Sequence, residues 1–395
     1  MLAAGCGRPQ GVSVCSELAI SGEACSAVLA LQLPAQLPPA RGNLVADSPA
    51  AAKMGFQIFF DARFSRDQSV RCASCHQPEH SFQDGLARPH ATGFVPRKTP
   101  TLLNVARQRF QFWDGRADSL WSQAVIPLEN PAEMNFTRLE VAHLVQTTYR
   151  ASYDTLFGPM PDVSTLPARG APGMAAWDSL PAPEKDQVNR IAANIGKSLE
   201  AYQRKLAGGP SALDAWLSGD RSALSDEHKR GLAVFVAAGC LACHSGPTFS
   251  DDKFHNLGVP TLAGETLDSG RTQGLQTLLS SPFNVTGPYS DGPRPPEGDP
   301  AYEPNARNEG AIHTPSLRNL LRNEPYGHGG TFSSLEDIVD FHLLGGGRGA
   351  AGFAGEVDPL LQPRRLSPED RRVLLAFLRS LEGTYPQLPW ADWPN

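Results

Sequence analysis

The sequence predicts a mainly α-helical protein with two domains, long loops and little β-structure. A length of 395 residues exceeds one ordinary domain of about 150 residues. Apolar residues recur every three or four positions in several segments, which is typical of amphipathic helices, whereas alternating strand patterns are scarce. The 37 glycines and 35 prolines require many loops and turns.

Composition and charge exclude several classes of protein. Hydrophobic residues make up 41% of the chain and charged residues 19%, which is enough apolar material for sizeable cores and too little charge for a disordered chain. The net charge of -6 provides no basic surface for phosphate groups, so we expect no nucleic-acid partner. No apolar run approaches the roughly 18 residues of a membrane-spanning helix.

Six segments carry the helical period. Ser225, followed by Asp226 and Glu227, has the character of a helix N-cap. Loops rich in glycine, proline and aspartate separate the periodic segments. The predicted helices are 52–61, 139–156, 182–206, 225–239, 335–344 and 367–381.

The start of the chain is predicted to be a signal remnant and linker over residues 1–48. The small residues before Cys6 resemble the end of a bacterial lipobox, which would make Cys6 a lipid anchor; the alternative is an ordinary terminus. Cys15 and Cys25 would form a disulfide if the compartment is oxidising. The prolines of residues 33–51 favour an extended linker.

The other four cysteines form two CxxCH motifs, at 72–76 and 240–244. This spacing attaches c-type haem, because two thiols add across the haem vinyl groups and the adjacent histidine reaches the iron. A zinc site or a pair of redox dithiols is the alternative. The sequence therefore predicts two covalently bound haem c groups held by Cys72, Cys75, Cys240 and Cys243, with His76 and His244 as iron ligands.

Each motif has its own helical neighbourhood, which predicts two cytochrome c-like haem domains. We expect an N-terminal domain over residues 49–175 and a C-terminal domain over residues 176–395. Covalent haem attachment in bacteria takes place outside the cytoplasm, so a periplasmic location is expected.

Further motifs resemble the bacterial di-haem cytochrome c peroxidase and MauG family over approximately residues 50–385. The motifs are PTLLN at 100–104, FWDGR at 112–116, EM at 133–134, HNLGVP at 255–260, DSGR at 268–271, TPSLRN at 314–319 and PYGHGG at 325–330.

The resemblance implies a peroxidase in which one haem reacts with hydrogen peroxide and the other transfers electrons. By motif position, Trp113 is the tryptophan between the two haems. The electron donor would be a small cytochrome, a cupredoxin or, in MauG-like chemistry, a protein substrate. The alternative function is a di-haem electron-transfer cytochrome without peroxidase activity.

The resemblance places the peroxide site over the first haem. Glu133 is the expected general acid and base, since a carboxyl group can move a proton between the two peroxide oxygens. Gln123 is expected to orient the peroxide, and Pro127 adds bulk without ligating. Two alternatives remain for His90: the resemblance implies a removable ligand of the first haem, and the other is a solvent-facing histidine.

The ligands of the second haem depart from the family pattern. No methionine follows Cys243 in the chain, which excludes His/Met coordination within that domain. The family position for the ligand is occupied by His342, so the resemblance implies a His244/His342 pair of low reduction potential. The other candidate ligands are His255, His313 and His328.

Calcium binding is doubtful. The resemblance implies a Ca²⁺ between the haems, held by an asparagine side chain and by the carbonyls of Asn323 and Pro325. Lys98 occupies the asparagine position, and an ammonium has no lone pair for a cation. Arg116 and Arg271 are expected to contact haem propionates.

Overall fold

The computed structural model describes residues 10–261, 266–294 and 298–386. The predicted mainly α-helical fold is confirmed. Within the described residues the only sheet pairs two short antiparallel strands, β1 (Phe254–His255) and β2 (Ile312–His313). The helices are α1 (Gln10–Glu17), α2 (Gly22–Leu29), α3 (Pro49–Phe59), α4 (Cys72–Cys75), α5 (Leu120–Glu129), α6 (Arg138–Leu144), α7 (Arg150–Phe157), α8 (Ala175–Asp178), α9 (Ala182–Gln203), α10 (Ala212–Leu217), α11 (Asp226–Ala237), α12 (Arg271–Ser280), α13 (Leu335–Leu343) and α14 (Pro368–Arg379).

All six predicted helices are present, with local signals at their starts. Ser48 caps α3 and Ser225 caps α11, each accepting a hydrogen bond from a backbone N–H of the first turn, as expected for N-cap serines. The predicted helix over 139–156 consists of α6, a π-helical segment at Val145–Tyr149 and α7.

The first hydrophobic core joins α3, α5, α6 and α9. Glycines allow α9 to lie close to both of its partners. A Cβ atom on Gly55 of α3 would lie 1.9 Å from the carbonyl oxygen of Ser198 in α9, and one on Gly196 of α9 would lie 2.3 Å from the carbonyl oxygen of Trp121 in α5. The buried apolar residues of α9 in this core are Val188, Ile191, Ile195, Leu199 and Tyr202.

This packing corrects the expected boundary between residues 175 and 176. The large apolar side chains of α9, from Val188 to Tyr202, belong to the first core, although α9 follows that boundary in the chain. Amphipathic periodicity shows that a helix has an apolar face but not which neighbour covers it. The change from the first core to the second lies between Leu206 and Leu213.

The second core contains α10, α11, α13 and α14, and it also includes apolar side chains from residues 14–31. Val14 of α1, Leu18 just after α1 and Val28 of α2 are buried in the same cluster as Leu213 and Trp216. Residues 14–31 are therefore a folded part of the C-terminal domain, which corrects the expectation that all of residues 1–48 form a remnant and linker.

The predicted disulfide between Cys15 and Cys25 is confirmed and joins α1 to α2. Cys6 lies outside the described residues. No helix in the described part of the chain is both long and apolar enough to cross a membrane.

Candidate functional site

A continuous cavity of about 450 Å³ lies between the two domains, and both CxxCH motifs line it. Its walls are largely apolar, which suits a flat hydrophobic ligand. The apolar side chains at the first motif include Phe59, Val70, Leu102, Leu103 and Met134, and those at the second include Phe235, Val259, Phe332, Ile338 and Leu374.

The first motif places two free thiols and one histidine on the cavity wall. Cys72 and Cys75 are the ends of the short helix α4 and form no disulfide. Burial raises the pKa of each thiol to about 12. His76 Nδ1 lies 3.0 Å from the carbonyl oxygen of Phe82. Because a carbonyl only accepts, Nδ1 carries the proton and Nε2 keeps its lone pair for a metal.

The second motif repeats this arrangement and adds a second imidazole. Cys240 and Cys243 are also free thiols, and His244 Nδ1 lies 2.9 Å from the carbonyl oxygen of Phe249. His342, on α13, has its Nδ1 2.7 Å from the carbonyl oxygen of Ile338. The centres of the His244 and His342 rings are 6.4 Å apart.

This distance fits two ligands of one metal ion. With metal–nitrogen bonds of about 2 Å and ring centres about 1.1 Å beyond each nitrogen, imidazoles on opposite sides of one ion have centres roughly 6.3 Å apart. Burial, followed by the charge of His342, lowers the pKa of His244 to about 4, and burial also lowers the pKa values of His76 and His342. All three rings are therefore neutral, as metal ligands must be.

The residues present thus fit two haem groups. Each motif offers two thiols for covalent attachment and an imidazole with a free Nε2, beside an apolar cavity. The two ends differ, however, because His76 has no facing imidazole among the described residues.

The expected peroxide-site residues share the first end of the cavity. Gln123 and Pro127 lie on α5, and Glu133 follows in the next loop; all three line the cavity. Asn130 Nδ2 donates to Glu133 Oε1 at 2.9 Å. Burial raises the pKa of Glu133, opposed by the charge of Arg116 and by the Asn130 hydrogen bond, so this carboxyl group is poised to hold and release a proton.

Trp113 lies between the two domains on the same cavity wall. Its indole Nε1 donates to the carbonyl oxygen of Lys98 at 2.9 Å, and its ring centre is 6.3 Å from that of His328. His313 N donates to the Trp113 carbonyl oxygen at 2.8 Å. Contacts from the second domain therefore fix the orientation of this tryptophan.

Comparison with known proteins agrees with this site. The family model for di-haem cytochrome c peroxidase matches residues 49–222. The methylamine utilization protein MauG of Methylorubrum extorquens is 32% identical over 398 residues, covering 97% of this chain and 95% of that protein. The chain belongs to the di-haem cytochrome c peroxidase and MauG family. It is therefore a peroxidase-like oxidoreductase with two haem c groups.

Three further known proteins are similar to this chain in sequence or in fold. Cytochrome c551 peroxidase of Pseudomonas aeruginosa is 27% identical over 92% of this chain and 86% of its own length. A MauG-like protein associated with microbial copper homeostasis shares the fold with a TM-score of 0.65 at 22% identity, covering 91% of this chain and 97% of its own. The diheme peroxidase BthA from Burkholderia thailandensis shares it with a TM-score of 0.64 at 22% identity, covering 92% and 97%.

His90, the tentative ligand of this di-haem peroxidase, lies outside the cavity. Its side chain is exposed, and its ring centre is 4.8 Å from that of Phe94, which is 73% exposed. Successive residues of an extended segment point to opposite sides, so the neighbours Pro89 and Ala91 line the cavity instead. Of the two alternatives for His90, this placement agrees with a solvent-facing histidine and not with a ligand of the first haem.

Arg271 is also placed differently from the family-based expectation, whereas Arg116 lines the cavity. The Arg271 side chain is buried away from the cavity lining, between Phe254 and Phe110. Its guanidinium donates to the carbonyl oxygens of Gly115 and Ala301, both at 2.6 Å. The guanidinium that was expected to bind a haem propionate is therefore occupied by backbone carbonyl oxygens. Because Gly115 and Ala301 lie in different domains, Arg271 connects the two domains.

Two charged side chains on the cavity wall, Arg97 and His255, form ion pairs that were not predicted. His255 was expected only as an alternative ligand of the second haem. Arg97 donates to Asp114, and bidentately to Asp268 at 2.6 and 2.7 Å. His255 lies between two carboxylates, with Nδ1 2.7 Å from Asp358 and Nε2 3.0 Å from Asp251. Burial lowers the His255 pKa, but Asp251, Cys243 and Asp358 together outweigh it and raise the pKa to about 11.

The Lys98 side chain is 4% exposed, and its Nζ donates to Gln83 Oε1 at 3.2 Å. Asn323 and Pro325, the other expected calcium-binding residues, line the same cavity. An ammonium has no lone pair for a cation, so the Lys98 side chain cannot replace the asparagine as a ligand of Ca²⁺.

Proposed function

We propose that this enzyme reduces hydrogen peroxide at the first end of the cavity, with electrons that enter at the second end and pass through Trp113. The N-terminal domain would be peroxidatic and the C-terminal domain would transfer electrons. The proposal rests on the difference between the two ends. His244 and His342 form a facing pair 6.4 Å apart, whereas His76 shares its end of the cavity with Gln123, Pro127 and Glu133.

The residues that would hold the haem groups follow from this geometry. Cys72 and Cys75 would attach the first group and His76 would ligate it. Cys240 and Cys243 would attach the second, with His244 and His342 as ligands. Bound haem would supply the iron that binds peroxide at one end and carries electrons at the other.

The reaction consumes two electrons and two protons, and it turns one hydrogen peroxide into two water molecules. Glu133 would take the proton from one peroxide oxygen and return it to the other, which makes water the leaving group. Burial raises the pKa of Glu133 above its ordinary value, which makes its carboxylate a stronger base for this exchange. The Gln123 amide can donate and accept hydrogen bonds to orient the peroxide. Pro127 has no side-chain donor or lone pair and leaves the ligand position open.

Trp113 would carry electrons between the two ends. Its indole N–H is bonded to the Lys98 carbonyl oxygen at 2.9 Å. A carbonyl accepts a hydrogen bond without taking the proton, so the indole would remain protonated while an electron passes.

The electron donor is proposed to be a small cytochrome or a cupredoxin, in the periplasm where covalent haem proteins mature. A MauG-like variant of this function, in which a partner protein's aromatic side chain supplies the electrons, is the second candidate. The 32% identity with a MauG protein over 97% of the chain supports this second candidate function.

The test is peroxide-dependent oxidation of a reduced small c-type cytochrome by the purified di-haem protein. We expect two donor molecules to be oxidised for each peroxide consumed. In Trp113→Phe, donor oxidation should slow by roughly tenfold or more, while the first reaction with peroxide in single turnover stays near the wild-type rate. A protein that accepts and donates electrons but never consumes peroxide would be an electron-transfer cytochrome, and the proposal would fail.

A further inference from the structure

Lys98 is held at the meeting point of the two domains. Its backbone N–H donates to the carbonyl oxygen of His328 at 2.8 Å, and its own carbonyl oxygen accepts the Trp113 indole. Its side chain reaches Gln83, whose Nε2 donates to the carbonyl oxygen of Arg322 at 2.6 Å. The backbone of Lys98 is therefore held by His328 and Trp113, and its ammonium by Gln83, on the wall of the cavity that both histidine sites share.

The Lys98 ammonium has one hydrogen-bond acceptor among the described residues and retains donors for further partners. An ammonium has three N–H bonds, and Gln83 Oε1 occupies one of them. The Oδ1 atom of Asn323, which belongs to the same cavity lining, is buried without a hydrogen-bond partner. The cavity wall thus holds both spare donors and a spare acceptor where polar groups of a ligand would lie.

The positive charge of Lys98 is not neutralised by an ion pair in the described part of the chain. The neighbouring Arg97 is compensated by Asp114 and Asp268. Asp84 accepts a hydrogen bond from Thr99 at 2.9 Å and acts on Lys98 only through its charge. Burial lowers the pKa of Lys98 to about 8, so most of the lysine is charged at neutral pH, and haem carboxylates would increase that fraction.

We propose that the Lys98 ammonium supplies the fixed positive charge between the two haem groups, in place of a bound Ca²⁺. An ammonium cannot ligate a metal ion and repels one. The optical and electron paramagnetic resonance spectra of the resting protein would then not depend on calcium. This inference depends on the two haem groups and not on the proposed peroxide reaction, because neither readout below requires turnover.

The first test measures the metal content and spectra of the purified di-haem protein after equilibration with CaCl₂ and desalting. We expect no stoichiometric calcium by mass spectrometry of the metals. The optical and electron paramagnetic resonance spectra should stay the same with added Ca²⁺ or with a calcium chelator. One calcium per chain, removed by the chelator together with a change in the spectra, would overturn the proposal.

The second test measures the reduction potentials of both haems in Lys98→Met and Lys98→Arg. Loss of a positive charge favours the oxidised iron, so Lys98→Met should shift both midpoint potentials downward, while Lys98→Arg should stay near wild type. Wild-type potentials in Lys98→Met, or equal shifts in both variants, would overturn the proposal. Haem content confirms that each variant is assembled; if Lys98→Met fails to assemble, the calcium measurement on the wild type decides.

Discussion

His244 and His342 approach each other across the second end of the cavity with ring centres 6.4 Å apart, and each Nδ1 is bonded to a backbone carbonyl oxygen. Both free Nε2 atoms are thereby available to one iron. The pair comes from the second CxxCH motif and from helix α13, which are far apart in sequence. We expect two imidazoles to give a low reduction potential at this end.

Replacing His342 should change both the spin state and the potential of the second haem. His342→Met should raise its midpoint potential by on the order of 0.1–0.3 V, because a thioether stabilises reduced iron. His342→Ala should convert a low-spin signal to high spin in electron paramagnetic resonance, and added imidazole should restore it. An unchanged spectrum in His342→Ala would mean that another side chain is the ligand.

Removing the carboxyl group of Glu133 should slow the reaction with peroxide. In Glu133→Gln we expect the second-order rate constant to fall by about 10²–10⁴-fold, the usual contribution of a positioned acid and base. The wild-type rate should rise with pH through the raised pKa of Glu133, because the carboxylate form accepts the proton. Stopped-flow measurements across pH test this.

The matched control is Glu79→Gln, which alters an exposed carboxyl group close to the first motif. It should keep the wild-type rate and pH profile. If Glu133→Gln keeps the same pH dependence as the wild type, another group moves the proton.

Arg271 should contribute to stability and not to haem properties. Arg271→Met removes the bonds to Gly115 and Ala301 and leaves their carbonyl oxygens without a donor, so the free energy of unfolding should fall by about 3 kcal/mol or more. Urea unfolding and spectroelectrochemistry together test this. A shifted haem potential with unchanged stability would show instead that Arg271 binds a propionate.

Glu200 should make the protein less stable as the pH rises. Burial raises its pKa to about 7, from an ordinary value of 4.5, against the opposing hydrogen bond from Asn43. The folded state therefore holds a proton that the unfolded state releases between these values. The stability that this proton provides is complete below pH 4.5 and decreases as the pH rises towards 7.

Urea unfolding of the wild type and Glu200→Gln from pH 4.5 to 8 measures this effect. The wild type should lose on the order of 2–3 kcal/mol relative to Glu200→Gln over this range, since glutamine mimics the protonated acid. Parallel curves for the two proteins would show that Glu200 is ionised in the folded state.

Local signals predicted much of the fold. The CxxCH spacings located both ends of the cavity. Apolar periodicity located six helices, one of them with an N-cap signal at Ser225. One helix of the site, α5, was missed because Pro127 lies inside it, and a proline normally ends a helical pattern. Pro127 lies in the last turn of α5, and the helix ends two residues later, at Glu129.

The remaining features depend on contacts between distant segments. His90 and Arg271 have suitable chemistry for the roles expected of them, but an extended backbone turns His90 to the surface, and two distant carbonyl oxygens hold Arg271. The packing of α9 on the first core likewise depends on Gly55 and Gly196 meeting particular backbone atoms. None of these partners is visible in a local sequence pattern.

Electron paramagnetic resonance of the resting diferric protein, before and after addition of hydrogen peroxide, tests the central claim most directly. The structure predicts one high-spin iron at the His76 end, which reacts rapidly, and one low-spin iron with two imidazole ligands at the His244 end. Two low-spin signals that do not change with peroxide would contradict an open first site and the proposed peroxidase function.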